Sequence, residues 1–394
     1  MRILFTTIPG TGHFNPVVPT AKALQARGHE VTFAASEAFT PSIETAGFKN
    51  IPAGPSWLEN MGDPVMQEIL RKEFFTELVR MGMVEGIVRA AHSVRAELII
   101  GEAAETGAPV AAAILDLPYA RHAPAAAKIW WPMMRDGLAR AAAEHGLDGQ
   151  RLIDDDYPIV DIDRTPPSME TPGHVPTAHT FNIRPELYDG AGEMPDWADE
   201  LGKARPLVYV TLGTVFNGNL PLFQLVAESL GGEDVDVLMT LGRGIPRDAL
   251  GELPDNIRVA GYVPQSELVR RASAMVCHGG YNSVISALTA GVPLYVIPMA
   301  ADQPYNAERV LAAGAGLSAR LPEGPPPGPP QAGPPAFTPP TSGQIRDSVR
   351  RLLTEPHFAT GAQRVAAEIA AMPPVVHAAE RLEEAMRERG AVTA

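Results

Sequence analysis

The segment Val276-Cys-His-Gly-Gly-Tyr-Asn-Ser283 constrains this chain more than any other. It reads as a buried strand that ends in a polar glycine turn and opens a helix. Such a turn aims backbone N–H groups and the positive end of a helix at one place, a ready site for phosphate. His278 adds a donor at the turn, and Asn282 and Ser283 add side-chain donors in the first helical turn. A second apolar run, Pro293-Leu-Tyr-Val-Ile-Pro298, leads to Asp302 and Gln303. These two carry the acceptors and donors that hold sugar hydroxyls. Half of a nucleotide-sugar site is thus written in one stretch.

Around it, strand and helix patterns alternate, which argues for α/β layers with parallel sheets. Residues 2–8 read as a first strand, Pro16 to Gly28 as its helix, and Val31 to Ala35 as the next strand. Leu98-Ile-Ile100 is a further short buried run. After Pro206 the alternation restarts, with strands at 207–212, 235–241, 257–260 and 273–277 and a helix at 219–230. The polar stretch 190–206 reads as an interdomain linker. Two Rossmann-like domains facing across a cleft follow, with ligands at the carboxyl ends of the strands. His13 and His278 each sit just past a predicted strand end.

Composition narrows the function. A chain of 394 residues is long enough for two domains. A formal charge of −14 argues against nucleic acid, since neutralising phosphates needs clustered Lys and Arg. No apolar run is long enough for a transmembrane helix, and the first residues look like a strand rather than a signal peptide. The single cysteine, Cys277, forbids an internal disulfide and suits a reducing cytoplasm; it reads as a small core residue. The proline-dense stretch 322–340 can form neither a helix nor a central strand, and reads as an extended insertion.

The motifs match a known pattern. They are Met1-Arg-Ile-Leu-Phe-Thr-Thr-Ile-Pro-Gly-Thr-Gly-His-Phe-Asn-Pro16, Pro206-Leu-Val-Tyr-Val-Thr-Leu-Gly-Thr214, Val259-Ala-Gly-Tyr-Val-Pro-Gln265, and Val276 to Ser283 with Pro298 to Gln303. In this order they resemble the family 1 glycosyltransferases, the GT-B enzymes that include plant UDP-glycosyltransferases and bacterial antibiotic glycosyltransferases. The resemblance implies an α/β GT-B fold with an acceptor-binding domain over 1–200 and a nucleotide-sugar-binding domain over 201–375. It also implies a final helix, 376–394, that packs back on the first domain. By spacing alone, Ala378, Ala379, Leu382, Ala385 and Met386 fit an ordinary amphipathic surface helix equally well.

Glycosyl transfer needs a base for the acceptor hydroxyl, and histidine suits that task. His13, after the first strand, matches the family's base position; from its residue type alone, a helix-capping or phosphate-binding role is as good. A base of this kind usually has an orienting carboxylate. The family's common Asp is missing after Leu98-Ile-Ile100; Glu102 is the candidate there, with Glu105 one turn on and Asp116 as a further candidate, and antibiotic enzymes of this type often lack such a partner altogether. The resemblance gives the diphosphate to Thr214, His278, Gly279, Gly280, Asn282 and Ser283, and donor sugar hydroxyls to Asp302 and Gln303. Asp302 could instead cap the helix that begins near Gln303. Tyr262 and Val263 fall where relatives hold the base, Tyr262 as a stacking ring or else a core aromatic. Ser286 stands where plant enzymes carry a ribose-binding Glu, which tilts the donor from UDP-sugar toward a dTDP-sugar.

Charge on the leaving diphosphate can be met by oriented donors and a helix dipole rather than a metal. Asp154-Asp-Asp156 and Asp161-Ile-Asp163 superficially match the Asp-x-Asp pattern of metal-dependent transferases, but read as solvated loops. No metal and no cofactor are expected. Trp57, Met61, Phe75, Trp130 and Trp131 belong to methionine- and aromatic-rich stretches that suggest an apolar aglycone, although each residue alone is as readily core. The leading expectation is an inverting glycosyltransferase of natural-product biosynthesis. The alternatives are a GT-B enzyme acting on a lipid or cell-wall precursor, a non-catalytic sugar-nucleotide-binding partner, and a sugar-nucleotide epimerase. Whether the chain forms a homodimer is left open.

Overall fold

The computed structural model describes residues 1–54, 83–123, 127–154, 156–190, 192–213, 219–241, 245–319 and 338–392, without the side chains of 127–130, 132, 133, 391 and 392. The proline-dense stretch therefore lies outside the described residues as far as 337. The chain forms two compact units. One comprises Met1–Thr165, Thr171–Gly190 and Met372–Ala394, the other Pro166–Glu170 and Ala191–Ala371.

The first unit is built on a seven-stranded, wholly parallel sheet. Its strands are β1 (Arg2–Thr6), β2 (Glu30–Ala35), β3 (Lys49–Pro52), β4 (Leu98–Glu102), β5 (Tyr119–Ala123), β6 (Val160–Asp163) and β7 (Thr180–Asn182), in the order β3-β2-β1-β4-β5-β6-β7. Strands covered on both faces need near-continuous apolar runs, and Ile3-Leu4-Phe5 and Leu98-Ile99-Ile100 supply them with at most 1% exposure. The strand order reverses between β1 and β4, which pair from Ile3↔Leu98 to Thr6↔Gly101. Crevices open at such reversals, outside the carboxyl ends of the strands.

Strand β1 stops at Thr6, short of the expected 2–8. The first helix starts at Thr11 rather than at Pro16 and runs to Ala26. Pro16 and Pro19 each remove one backbone donor inside it. Burial of Phe14, Val17, Val18, Ala21 and Leu24 offsets that loss, because packing of an apolar face outweighs local propensity. His13 consequently sits on the first helical turn, not in a loop.

The second unit repeats the plan with six parallel strands. These are β8 (Leu207–Thr211), β9 (Asp236–Thr240), β10 (Ile257–Ala260), β11 (Ala274–Cys277), β12 (Leu294–Val296) and β13 (Gly316–Ser318), in the order β10-β9-β8-β11-β12-β13. Its reversal lies between β8 and β11, paired from Ala274↔Val208 to Cys277↔Thr211. Residues 192–200, grouped with the first half by sequence, are held by this unit instead: Arg271 donates to the Ala198 carbonyl at 3.2 Å and to Asp199 at 2.8 Å. Ser168 joins it too, donating through its backbone and hydroxyl to Glu368 at 2.9 and 2.7 Å.

The last helix, Val376–Val392, belongs to the first unit. Ala378, Ala379 and Leu382 are fully buried in one cluster with Phe14, Phe33, Ile100 and Ile162, so this is core rather than a surface helix. Beside that apolar seam, Arg27 binds Glu383 through Nε and Nη2, each at 2.8 Å, and His29 Nε2 lies 2.9 Å from the same carboxylate. The Arg27 hydrogen bond is the main reason the Glu383 carboxyl is held down to about 2. No helix among the described residues is long and apolar enough to cross a membrane.

Leu382→Ala is expected to destabilise the first unit by about 2–5 kcal/mol, the cost of emptying a fully buried leucine site. Urea unfolding followed by far-UV circular dichroism checks this. An unchanged midpoint would show that the helix is dispensable to the core.

Candidate active site

In the first unit the pairing of β1 with β4 brings His13 and Glu102 together. His13 follows β1 and Glu102 ends β4. His13 Nδ1 lies 3.1 Å from Glu102 Oε1; the imidazole is 39% exposed and the carboxylate 5%. A carboxylate only accepts, so Nδ1 donates to it, and in the neutral imidazole the lone pair is then on Nε2. Asp116 is elsewhere. It follows the helix Gly107–Ile114 in a left-handed conformation at φ 51°, with its side chain 99% exposed 3.9 Å from Arg389.

Glu105 has a role that spacing did not reveal. Its carboxylate accepts from Thr6 Oγ1 at 2.7 Å, from Gly107 N at 2.8 Å and from Ala108 N at 3.0 Å, tying the end of β1 to the next helix. Its own N–H donates to the Glu102 carbonyl at 2.8 Å and so closes the turn that carries Glu102. Burial pushes its carboxyl up to about 7, against the pull of those three hydrogen bonds, and the Glu102 charge adds to the rise. The only advance signal was a carboxylate three residues after Glu102.

Of the two Asp-rich runs, the first keeps to the expectation, with Asp154 and Asp156 exposed in a turn, and the second does not. Asp161 and Asp163 are buried in β6. Asp161 takes both prongs of Arg121, at 3.0 and 2.7 Å, and Asp163 accepts from Thr165 N at 2.8 Å. Arg121 lies 4.9 Å from the centre of the Trp131 ring, which leans on the core of this unit. The Trp131 indole N–H has no partner among the described residues. Trp57, Met61 and Phe75, and the Trp130 side chain, fall outside the described residues.

In the second unit the pairing of β8 with β11 sets Gly213 beside His278. The imidazole of His278 is wedged between two glycines. A Cβ on Gly213 would come 2.6 Å from its Nε2, and one on Gly280 2.5 Å from the same atom. Burial pushes His278 down to about 4, so the ring is neutral at ordinary pH and its Nδ1 has no partner among the described residues. Gly279, at φ 91°, is held in the left-handed region, and Val296 fills the place of a side chain there. The helix Tyr281–Thr289 starts directly after this turn, with Asn282 half-buried and Ser283 buried on its first turn. Thr214 lies outside the described residues.

Asp302 does not cap its own helix, Gln303–Ala312; its backbone is already helical and makes no side-chain cap bond. Its carboxylate turns to the neighbouring helix, where Oδ2 accepts from Tyr281 N at 3.2 Å. Gln303 is 1% exposed, and its oxygen accepts from Met299 N at 2.8 Å and Ala300 N at 3.0 Å. That end of the amide is therefore committed to the turn. Tyr262 is 44% exposed, not a core aromatic, and a Cβ on Gly192 would come 2.9 Å from its ring. Val263 beside it is buried, as is Ser286, whose hydroxyl has no partner among the described residues. Cys277 is buried at the end of β11, and burial pushes its thiol up to about 12.

The comparisons agree with one another. Residues 56–213 match the family model for the erythromycin biosynthesis protein CIII-like N-terminal domain, and residues 224–328 the one for its C-terminal domain. The L-demethylnoviosyl transferase of Streptomyces niveus is 33% identical over 81% of this chain and 85% of its own length. The glycosyltransferase SnogD from Streptomyces nogalater superposes with a TM-score of 0.77 at 28% identity, covering 98% of this chain and 99% of its own. SsfS6 from Streptomyces sp. SF2575, solved with thymidine diphosphate, gives a TM-score of 0.75 at 26% identity over 98% of this chain and 99% of its own.

Gly213→Ala is expected to cost about 2–4 kcal/mol, combining left-handed strain with overpacking of the His278 ring, and Gly280→Ala about 1–3 kcal/mol from overpacking alone. Chemical denaturation of the two variants checks the order; equal effects would mean that the ring yields freely.

Glu105 makes a prediction about pH. Its proton stays on the folded chain to about 7 but leaves the unfolded chain near 4.5. Between those values the folded form binds more protons, so this group makes stability fall as pH rises, by about 3 kcal/mol at most. His278 acts in the opposite sense over an overlapping window. The measurement is therefore the difference between Glu105→Gln and the parent chain in urea unfolding at pH 5 and pH 7.5. The gap should shift in favour of the variant on going to pH 7.5; a pH-independent gap would overturn the assignment.

Proposed function

The chain belongs to the antibiotic-type family 1 glycosyltransferases, and on that premise we propose that it moves a deoxysugar from a dTDP-sugar to a hydroxyl of an apolar natural-product aglycone, with inversion and without a metal or cofactor. The observation that carries this reading is the 3.1 Å contact between His13 Nδ1 and Glu102. It gives the exposed imidazole a lone pair on Nε2 and a buried carboxylate to stabilise the imidazolium that forms on proton uptake.

In the proposed reaction His13 Nε2 takes the proton of the acceptor hydroxyl as its oxygen attacks the anomeric carbon. The bond from that carbon to the diphosphate oxygen breaks, and the electron pair leaves with the nucleotide. A single displacement of this kind inverts the anomeric centre. The negative charge that builds on the diphosphate falls to donors already oriented: the neutral His278 ring, the Gly280 N–H and the start of the helix Tyr281–Thr289. Support for dTDP is twofold. A relative of the same fold was solved with thymidine diphosphate, and Ser286 puts a small hydroxyl where a ribose-binding carboxylate would favour UDP. Asp302 would meet the sugar hydroxyls, and the exposed Tyr262 ring would stack on the base. An apolar acceptor is supported by the tryptophan and methionine content of the first unit. The protein would act in the cytoplasm, since its lone cysteine has no disulfide partner to form.

His13→Ala is expected to lower turnover by about 10²–10⁴-fold, the usual worth of a general base, and to leave dTDP affinity within about twofold. Mass-spectrometric turnover of a dTDP- and UDP-sugar panel against apolar aglycones, with calorimetry of dTDP and UDP, measures both. Unchanged turnover would remove His13 from the mechanism, and tighter binding of UDP than of dTDP would reverse the donor assignment.

A further inference from the structure

Asn306 joins the two halves of the donor site. It lies on the helix Gln303–Ala312 and is 0% exposed. Its amide nitrogen donates to the Gly279 carbonyl at 2.8 Å and to Asp302 Oδ2 at 2.7 Å. Both partners are acceptors, so the donor end of the amide must face them. Asp302 Oδ2 in turn accepts from Tyr281 N. These three hydrogen bonds, from Gly279 through Asn306 and Asp302 to Tyr281, close a ring with the 279–281 backbone. It staples the glycine turn after β11 to the turn that precedes the helix Gln303–Ala312.

Two further features show how tightly that staple is set. Gly279 has no room for a side chain, because Val296 and the Gln303 carbonyl occupy the space. Ala301, next to Asp302, is held at φ 54°, a strained conformation for a residue with a Cβ, which persists only where its surroundings over-determine it. We infer that Asn306 is the positioning residue of the donor site: it aims the Asp302 carboxylate and fixes the Gly279 peptide, so that the sugar-binding and phosphate-binding elements form one rigid piece. The inference deepens the glycosyltransferase reading above and rests on it.

The test is a double-mutant cycle on the full chain with a dTDP-sugar as donor. The variants are Asn306→Ala, Asp302→Ala and the double substitution, with Asn306→Ser as a milder second probe. Asn306→Ala should lower kcat/KM for the donor at least about tenfold, mostly in kcat, because an interaction that orients the reacting sugar acts in the transition state. The double variant should fall no more than about twofold below Asp302→Ala, since Asn306 acts through that carboxylate. Asn306→Ser, which keeps one donor for two acceptors, should lie between the parent and Asn306→Ala. If the effects of Asn306→Ala and Asp302→Ala multiply independently, the inference fails. It fails as well if Asn306→Ala or Asn306→Ser lowers the melting temperature while kcat/KM stays at the parent value. A parent chain that neither binds dTDP in calorimetry nor turns over any donor would overturn the transferase reading and this inference together. Active parent enzyme with independent substitutions would overturn the inference alone.

Discussion

The site chemistry of each unit depends on one constraint, the parallel pairing of two strands at the point where strand order reverses. In the first unit β1 lies against β4, and in the second β8 lies against β11. A parallel sheet sends all its strands toward one edge, and the helices on either side of a reversal leave in opposite directions. Side chains just beyond such a pair face an open crevice with no crossover above it. His13 and Glu102 meet that way across 89 positions of sequence, and Gly213 and His278 across 65. Neither meeting needs any local motif to bring its residues together; the register of the sheet does it.

On the proposed function, the same edge would let an acidic chain bind a diphosphate. A net charge of −14 gives no general attraction for an anion. The donors proposed in the second unit are instead backbone N–H and a neutral imidazole, fixed in direction by Gly279 at φ 91° and by the glycines on both sides of His278. Donors that do not reorganise on binding stabilise charge more effectively than mobile lysines would. Burial acts in opposite directions at the two sites. It keeps His278 neutral, and it raises Glu105 beside Glu102, so that these two neighbouring carboxylates need not both be charged at once.

Much of this was legible from residue order. The runs at 2–8, 98–100, 207–212 and 273–277 alternate with helical patterns, so α/β layers with parallel sheets followed. Other features were hidden because their cause is distant in sequence. The first helix begins before its prolines, since burial of Phe14 and Val17 decides its extent and local propensity does not. Asp161 and Asp163 resemble a solvated acidic run until β6 is placed beside Arg121 on β5. Asp302 has the sequence of a helix cap, yet it serves the helix of another strand–helix unit because its own backbone has already turned helical. Asn306 gave no signal at all; its meaning comes from Gly279, which reaches it only when β11 and β12 pair.

The sequence by itself determined which chemistry this protein carries: the histidines, the glycine turn and the paired acid and amide of Asp302-Gln303 are properties of residue type and spacing. Tertiary structure alone decided which carboxylate serves His13, what Asp302 and Gln303 touch, and where the last helix is buried. The physical reason is that a hydrogen bond or a buried charge depends on distances of about 3 Å, and for residues far apart in the chain only the register of the packed sheet fixes such distances.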